Sequence, residues 1–139
     1  MTKPFTYEFR VRYAEVDPQA VVFNSRYLEY ADLLVTEYFR DRRAHGMPQD
    51  LEFHVRHAEV NYLAPIRLDE LIEGRLTIER IGNSSVTMLI SLFGANGGSH
   101  RADIRLVQVQ VDLATGQPER IGEALRAAFG FKPIENVHG

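Results

Sequence analysis

One stretch of this 139-residue chain carries a helical period, and most of what surrounds it alternates. From about residue 25, Tyr27, Tyr30, Ala31, Leu34, Val35, Tyr38 and Phe39 recur at three- and four-residue steps. That spacing gathers side chains on one face of a helix. Asn24 or Ser25 can cap its start, since a short side-chain oxygen satisfies N–H groups left open in the first turn. Arg40, Arg42 and Arg43 lie near its end, where cations complement the helix dipole, and Gly46 and Pro48 stop it. A single long helix with one apolar face must bury that face against another element, and the rest of the chain offers strands.

Residues 5–13 place Phe5, Tyr7, Phe9, Val11 and Tyr13 on one face and Thr6, Glu8, Arg10 and Arg12 on the other, which predicts a half-buried strand. The same alternation sends Glu15 outward to solvent. Residues 51–63 change phase, from Leu51, Phe53 and Val55 to Ala58, Val60 and Tyr62. A one-residue shift exchanges the faces of a strand, so a bulge is expected near Arg56–His57. Further strands are predicted over 70–81, 85–94 and 102–113. The last carries an expected second slip, from Ile104 and Leu106 to Val107, Val109 and Val111. Gly82-Asn83-Ser84 and the stretches GANGGS and ATGQP supply turns. ERIGEALRAAFG reads as a short closing helix. Strand, long helix, then four strands on short turns gives an antiparallel α+β sandwich, one domain over residues 1–139. Its long strands leave edges that invite a second subunit.

Composition narrows the function. Hydrophobic residues make up 45% and charged residues 25%, so a core can form. A net charge of −3 gives no support for nucleic-acid or membrane binding driven by bulk charge. With no cysteine there is no disulfide, thiol nucleophile or cysteine-held metal, and the five histidines lack metal-ligand spacing. No apolar run suggests export or insertion, so the expected location is cytoplasmic.

The most distinctive stretch is AEVDPQAVVFNSRYLEY, residues 14–30. An acid, Asp17, stands a few residues ahead of a helix start. Taken alone, an Asp before Pro is a turn residue. The wider run V-R-Y-A-E-V-D-P-Q-A-V-V-F-N-S-R-Y-L-E-Y (11–30), with A-E-V-N-Y-L-A-P-I-R-L-D-E-L-I-E (58–73) and I-G-N-S-S-V-T (81–87), resembles the hotdog-fold acyl-CoA thioesterases of the 4-hydroxybenzoyl-CoA thioesterase type.

The resemblance implies a long central helix wrapped by a five- or six-stranded antiparallel sheet. It implies a homo-oligomer, a dimer or a dimer of dimers, with active sites between subunits. The family's catalytic carboxylate falls on Asp17, and its carbonyl-polarising backbone N–H on Asn24. Val22, Phe23 and Tyr27 are the implied substrate contacts, and Ser84 contacts the ligand across the subunit boundary. The ligand is an acyl-CoA, or less readily an acyl-carrier-protein thioester. CoA is part of the substrate, and neither a separate cofactor nor a metal is implied. Two departures stand out: Ala20 where the family usually has Gly, and Asn83 where members often carry a basic residue. Arg80, Arg101 and Arg105 are candidates for the CoA phosphates by strand position.

The chemistry suits these parts. A thioester needs a nucleophile at carbon and a stabiliser for the oxygen that turns negative. Helix-start N–H groups provide the second. Asp17 provides the first, by direct attack or by drawing a proton from water. The bland readings compete: Asn24's side chain as a cap, Tyr27, Tyr30, Tyr38 and Phe39 as core, His57 as a turned-out residue at the slip, Asp32 as a solvated or intersubunit polar group. A non-catalytic acyl-CoA-binding hotdog protein is the rival function. A hotdog hydratase or dehydratase is disfavoured, because no His lies between residues 1 and 44 to work beside a carboxylate.

Overall fold

The computed structural model describes residues 3–130. The element order is β1 (Phe5–Arg10), a 3₁₀ turn (Tyr13–Glu15), α1 (Arg26–Ala44), β2 (Phe53–Tyr62), β3 (Leu71–Ile81), β4 (Ser85–Gly94), β5 (His100–Gln110) and α2 (Glu123–Ala128). The five strands form one antiparallel sheet in the order β1-β3-β4-β5-β2.

Period-two alternation puts one set of side chains on a common face. Ile72 and Leu76 of β3, Val86, Met88, Ile90 and Leu92 of β4, and Ala102, Ile104 and Leu106 of β5 are all buried there. Register aligns Leu76 with Ile90 and Ile90 with Ile104, so the core runs in rows across the sheet. α1 lies on this face and buries Tyr27, Tyr30, Ala31, Leu34, Val35 and Tyr38, the stripe read from its period. The helix comes close because β3 has no side chain at Gly74. A Cβ there would stand 2.5 Å from Cδ2 of Leu34. At the far end, α2 is latched by Arg126, whose guanidinium donates to the carbonyls of Gly82 (2.7 Å) and Ile121 (3.1 Å).

The bulge expected near Arg56–His57 is present: Val55 pairs with Gln108 and His57 with Val107, leaving Arg56 unpaired in the ladder. Three expectations fail. β1 stops at Arg10, and Tyr13 lies in the 3₁₀ turn with 82% of its surface exposed. The second slip in β5 is absent. Its burial alternates without a break from Ala102 through Gln108, and the strand ends at Gln110. Val107 and Val109 belong to the opposite face, so apolar residues on both faces imitate a change of phase. The predicted side-chain cap is also missing, since Ser25 stands at the cap position and makes no capping bond.

β2 is an edge strand, and its side chains are mostly exposed. No helix is long and apolar enough to cross a membrane, and among the described residues no cluster could hold a metal ion.

The Leu34–Gly74 contact yields a prediction. Gly74→Ala forces a methyl into a filled space and is expected to cost about 1–3 kcal/mol, read as a lower midpoint in urea unfolding with unchanged slope.

Candidate active site

The segment between β1 and α1 is a tight loop pinned at its neck. Val16 and Val22 form an antiparallel bridge. Inside it, Asp17 N–H donates to the Val21 carbonyl (2.9 Å) and Ala20 N–H to the Asp17 carbonyl (2.8 Å). The turn forces Ala20 to φ 63°. A β-carbon disfavours that left-handed region by roughly 1–2 kcal/mol, which glycine would avoid. A second segment braces the loop: Val22 N–H donates to the Ile66 carbonyl (2.8 Å), and Val21 bridges Arg67.

Asp17 is half-buried. Its Oδ1 accepts the Gln19 N–H at 2.8 Å, the bond of an Asx turn. Its Oδ2 has no hydrogen-bond partner among the described residues. Asn24 lies on the other side of the bridge. The carbonyl of Phe23 turns inward to accept Arg26 N–H at 2.9 Å. In a trans peptide the following N–H points the opposite way. The Asn24 N–H is therefore directed away from the first turn, and it donates to no described residue. Asn24's own carbonyl accepts the Tyr62 hydroxyl at 2.9 Å. Asp17 is hydrogen-bonded across the turn to Val21, and Asn24 lies three residues beyond Val21, so the two α-carbons are at most about 16 Å apart.

A cleft of about 300 Å³ opens at the helix start, walled by Val22, Asn24, Tyr27, Tyr62, Leu63, Ala64 and Pro65. Tyr27 and Tyr62 meet edge-to-face at 4.8 Å. Of the residues proposed from sequence, Val22, Asn24 and Tyr27 share this cleft. Asp17, Phe23 and Ser84 are not among its walls within one chain. Phe23 is half exposed, and Ser84 sits in the β3–β4 turn, where its carbonyl accepts Gln110 N–H. Asp32 is exposed on α1.

The cleft's far wall is held by Arg101, a sequence candidate for the CoA phosphates, paired with Glu70. Arg101 meets Glu70 through two bonds of 2.7 Å each and also donates to the Pro65 carbonyl at 3.0 Å. The Arg101 carbonyl accepts both Leu63 and Ala64 N–H. Arg105 is committed to Glu79 at 2.7 Å. Arg80 is exposed and makes no ion pair among the described residues. The bidentate bonds to Arg101 hold the Glu70 carboxyl below its ordinary range, against the opposing effect of burial.

Glu15 needs the larger correction. It is buried, not solvated, because the 3₁₀ turn at Tyr13 ends the alternation that pointed it outward. Its Oε1 accepts Arg12 N–H (2.8 Å) and the Tyr30 hydroxyl (2.9 Å), and Oε2 accepts the Arg12 guanidinium (3.0 Å). Burial pushes this carboxyl up, but the Arg12 N–H and guanidinium and the Tyr30 hydroxyl together hold it below 4.5. Burial and the bond to Glu15 drive the Tyr30 phenol far above its usual range. A parity count along a strand misses such a residue.

With this geometry in place, comparison with known proteins is informative. A family description, the thioesterase superfamily, matches residues 19–99, more than half of the chain. The chain is 25% identical over 131 residues to the acyl-CoA thioester hydrolase YbgC of Escherichia coli, covering 92% of this chain and 97% of that one. It is 24% identical over 129 residues to the acyl-CoA thioesterase YbgC of Haemophilus influenzae, covering 90% and 93%. Among solved structures, the PA5185 protein of Pseudomonas aeruginosa matches with a TM-score of 0.80 and 27% identity, over 91% of this chain and 89% of that one. A five-stranded antiparallel sheet carrying one long helix is the hotdog fold in this chain.

Two measurements test the local physics. Ala20→Gly is expected to raise stability by about 1 kcal/mol, seen as a higher urea midpoint. For Glu70, a carboxyl lowered on folding adds stability that is complete above 4.5 and is lost as pH falls through the folded value. Glu70→Gln should therefore flatten the acid side of a plot of stability against pH, while unfolding at neutral pH occurs at a lower midpoint than in the wild type.

Proposed function

The chain belongs to the thioesterase superfamily, and from that premise we propose that it hydrolyses an acyl-CoA to the free acid and CoA. Membership and the YbgC relatives support thioester hydrolysis in general. The residues 11–30 support the finer placement with the 4-hydroxybenzoyl-CoA thioesterase type.

One observation carries the mechanism: a single pinned loop presents a carboxylate oxygen and a backbone N–H that no described residue engages. In this reading the thioester carbonyl oxygen takes the Asn24 N–H, with the helix dipole behind it. Losing such a donor costs on the order of 10²–10³ in rate. Asp17 attacks the carbonyl carbon to give a mixed anhydride, or takes a proton from the attacking water. In either route the C–S bond breaks and the electron pair leaves on sulfur. Thiolate is a good leaving group, so no strong general acid is required. Val22 and Tyr27 hold the thioester end of the ligand in the cleft, and Phe23 and Ser84 contact it from outside one chain's cleft.

The reading includes a homo-oligomer. β2 ends the sheet with exposed side chains, Val55 at 56% and Tyr62 at 53% among them, as an edge that a second copy extends would. Such pairing brings the second subunit alongside the cleft, which supports completion of the site by a partner. The alternative, a non-catalytic acyl-CoA-binding protein, rests on Ala20 and Asn83, the two positions where the chain departs from the residues usual in the family.

A panel of short, long and aromatic acyl-CoAs, with free thiol followed by a colour reagent, tests the activity. Asp17→Asn should bind the same acyl-CoA while turning over about 10²–10⁴ times more slowly. Ligand binding without cleavage by the wild type would favour the binding-protein reading. Light scattering should return the mass of a dimer or tetramer, and a monomer would count against a shared site.

A further inference from the structure

Glu15 ties together three places that the chemistry above depends on. Its side chain fixes the exit of β1 by accepting Arg12 N–H at 2.8 Å, with the Arg12 guanidinium on its other oxygen at 3.0 Å. The same Oε1 takes the Tyr30 hydroxyl at 2.9 Å, from the second turn of α1. The Glu15 carbonyl accepts the Phe23 N–H at 3.1 Å, one residue before Asn24. Asp17 follows only two residues later. Beside this contact, the Arg26 guanidinium on α1 reaches the Ala14 carbonyl at 3.2 Å. Glu15 is 7% exposed and both its carboxylate oxygens are engaged by Arg12 and Tyr30, so neither is open to a ligand.

We propose that Glu15, through Tyr30, is a positioning residue for thioester hydrolysis: its bonds set the separation and orientation of the Asp17 carboxylate and the Asn24 N–H. The assignment rests on the hydrolase reading above. The pair joins the loop to the helix beside the Glu15–Phe23 backbone bond, between Asp17 and Asn24 on either arm of the loop. Loosening it lets the carboxylate and the amide drift independently. A displacement on the order of 1 Å at a reacting group costs up to about 10²-fold in rate. The fold itself retains the Leu34 and Tyr38 packing and the sheet.

The test uses Tyr30→Phe and Glu15→Gln in the full chain, assayed well below each variant's melting temperature, on an acyl-CoA that the wild type cleaves. Tyr30→Phe removes one hydroxyl and keeps the ring packed on Phe9, so it decides the matter even if Glu15→Gln folds poorly. Expected is a fall in kcat of about tenfold with KM unchanged, and a larger fall for Glu15→Gln. Added to Asp17→Asn, Tyr30→Phe should cost little more, because groups that act as a unit are not additive. Costs that multiply in the double variant, or an unchanged kcat in Tyr30→Phe while Asp17→Asn is inactive, overturn the positioning role and leave the hydrolase reading intact. Normal hydrolysis by Asp17→Asn, or no acyl-CoA cleaved by the wild type, overturns the reading itself and the positioning role with it.

Discussion

The close seating of Leu34 over Gly74 governs where the helix can lie, and much of the molecule follows from it. A helix held at its middle against β3 has its two ends fixed by length and tilt. One turn before Leu34, Tyr30 packs at a tilt against Phe9 of β1, ring centres 4.6 Å apart, and reaches Glu15. One turn earlier again, Tyr27 meets Tyr62 from β2. The helix start is thus clamped between the first strand and the last strand of the sheet order. It is brought to the surface with the Asn24 N–H just ahead of it engaged by no described residue.

Two acids two residues apart have opposite fates, and burial separates them. Glu15 spends both oxygens on Arg12 and Tyr30 within the protein. Asp17 spends one on its own turn and keeps the other open. A buried carboxylate is tolerable only when hydrogen-bonded, whereas a half-exposed one can leave an oxygen for a ligand. No side chain caps the first turn at Ser25; backbone carbonyls close it instead, Phe23 accepting Arg26 N–H and Asn24 accepting Tyr27 N–H, and the Asn24 N–H stays outside that arrangement.

Much of the fold was legible because it depends on local period. The α1 stripe, the strands from β2 to β4 and the bulge at Arg56 follow from which residues alternate and where alternation changes phase. The errors arose where local period ceases to report. Tyr13 fits the alternation of β1, yet the chain leaves the extended state after Arg10, and Glu15 turns inward with it. The last part of β5 carries Val107 and Val109 on the face opposite the core, so alternation lost its contrast there. The Arg101–Glu70 pair joins residues 31 positions apart and carries no local signature. Asp17 and Asn24 stood out through the motif around them, whereas the roles of Glu15 and Tyr30 depend on long-range contacts that a motif does not spell out. The strain at Ala20 was visible only as a departure from a family's usual glycine.

The contact between positions 34 and 74 also constrains how this core can vary. A bare position in β3 and a branched side chain on α1 share one volume. Neither can grow unless the other shrinks, so the two behave as a single exchangeable unit. Libraries that diversify the helix while holding the sheet fixed will return almost nothing at residue 34. Libraries that vary both together can reach new packings, and with them new heights for the helix and new shapes for the opening beside it.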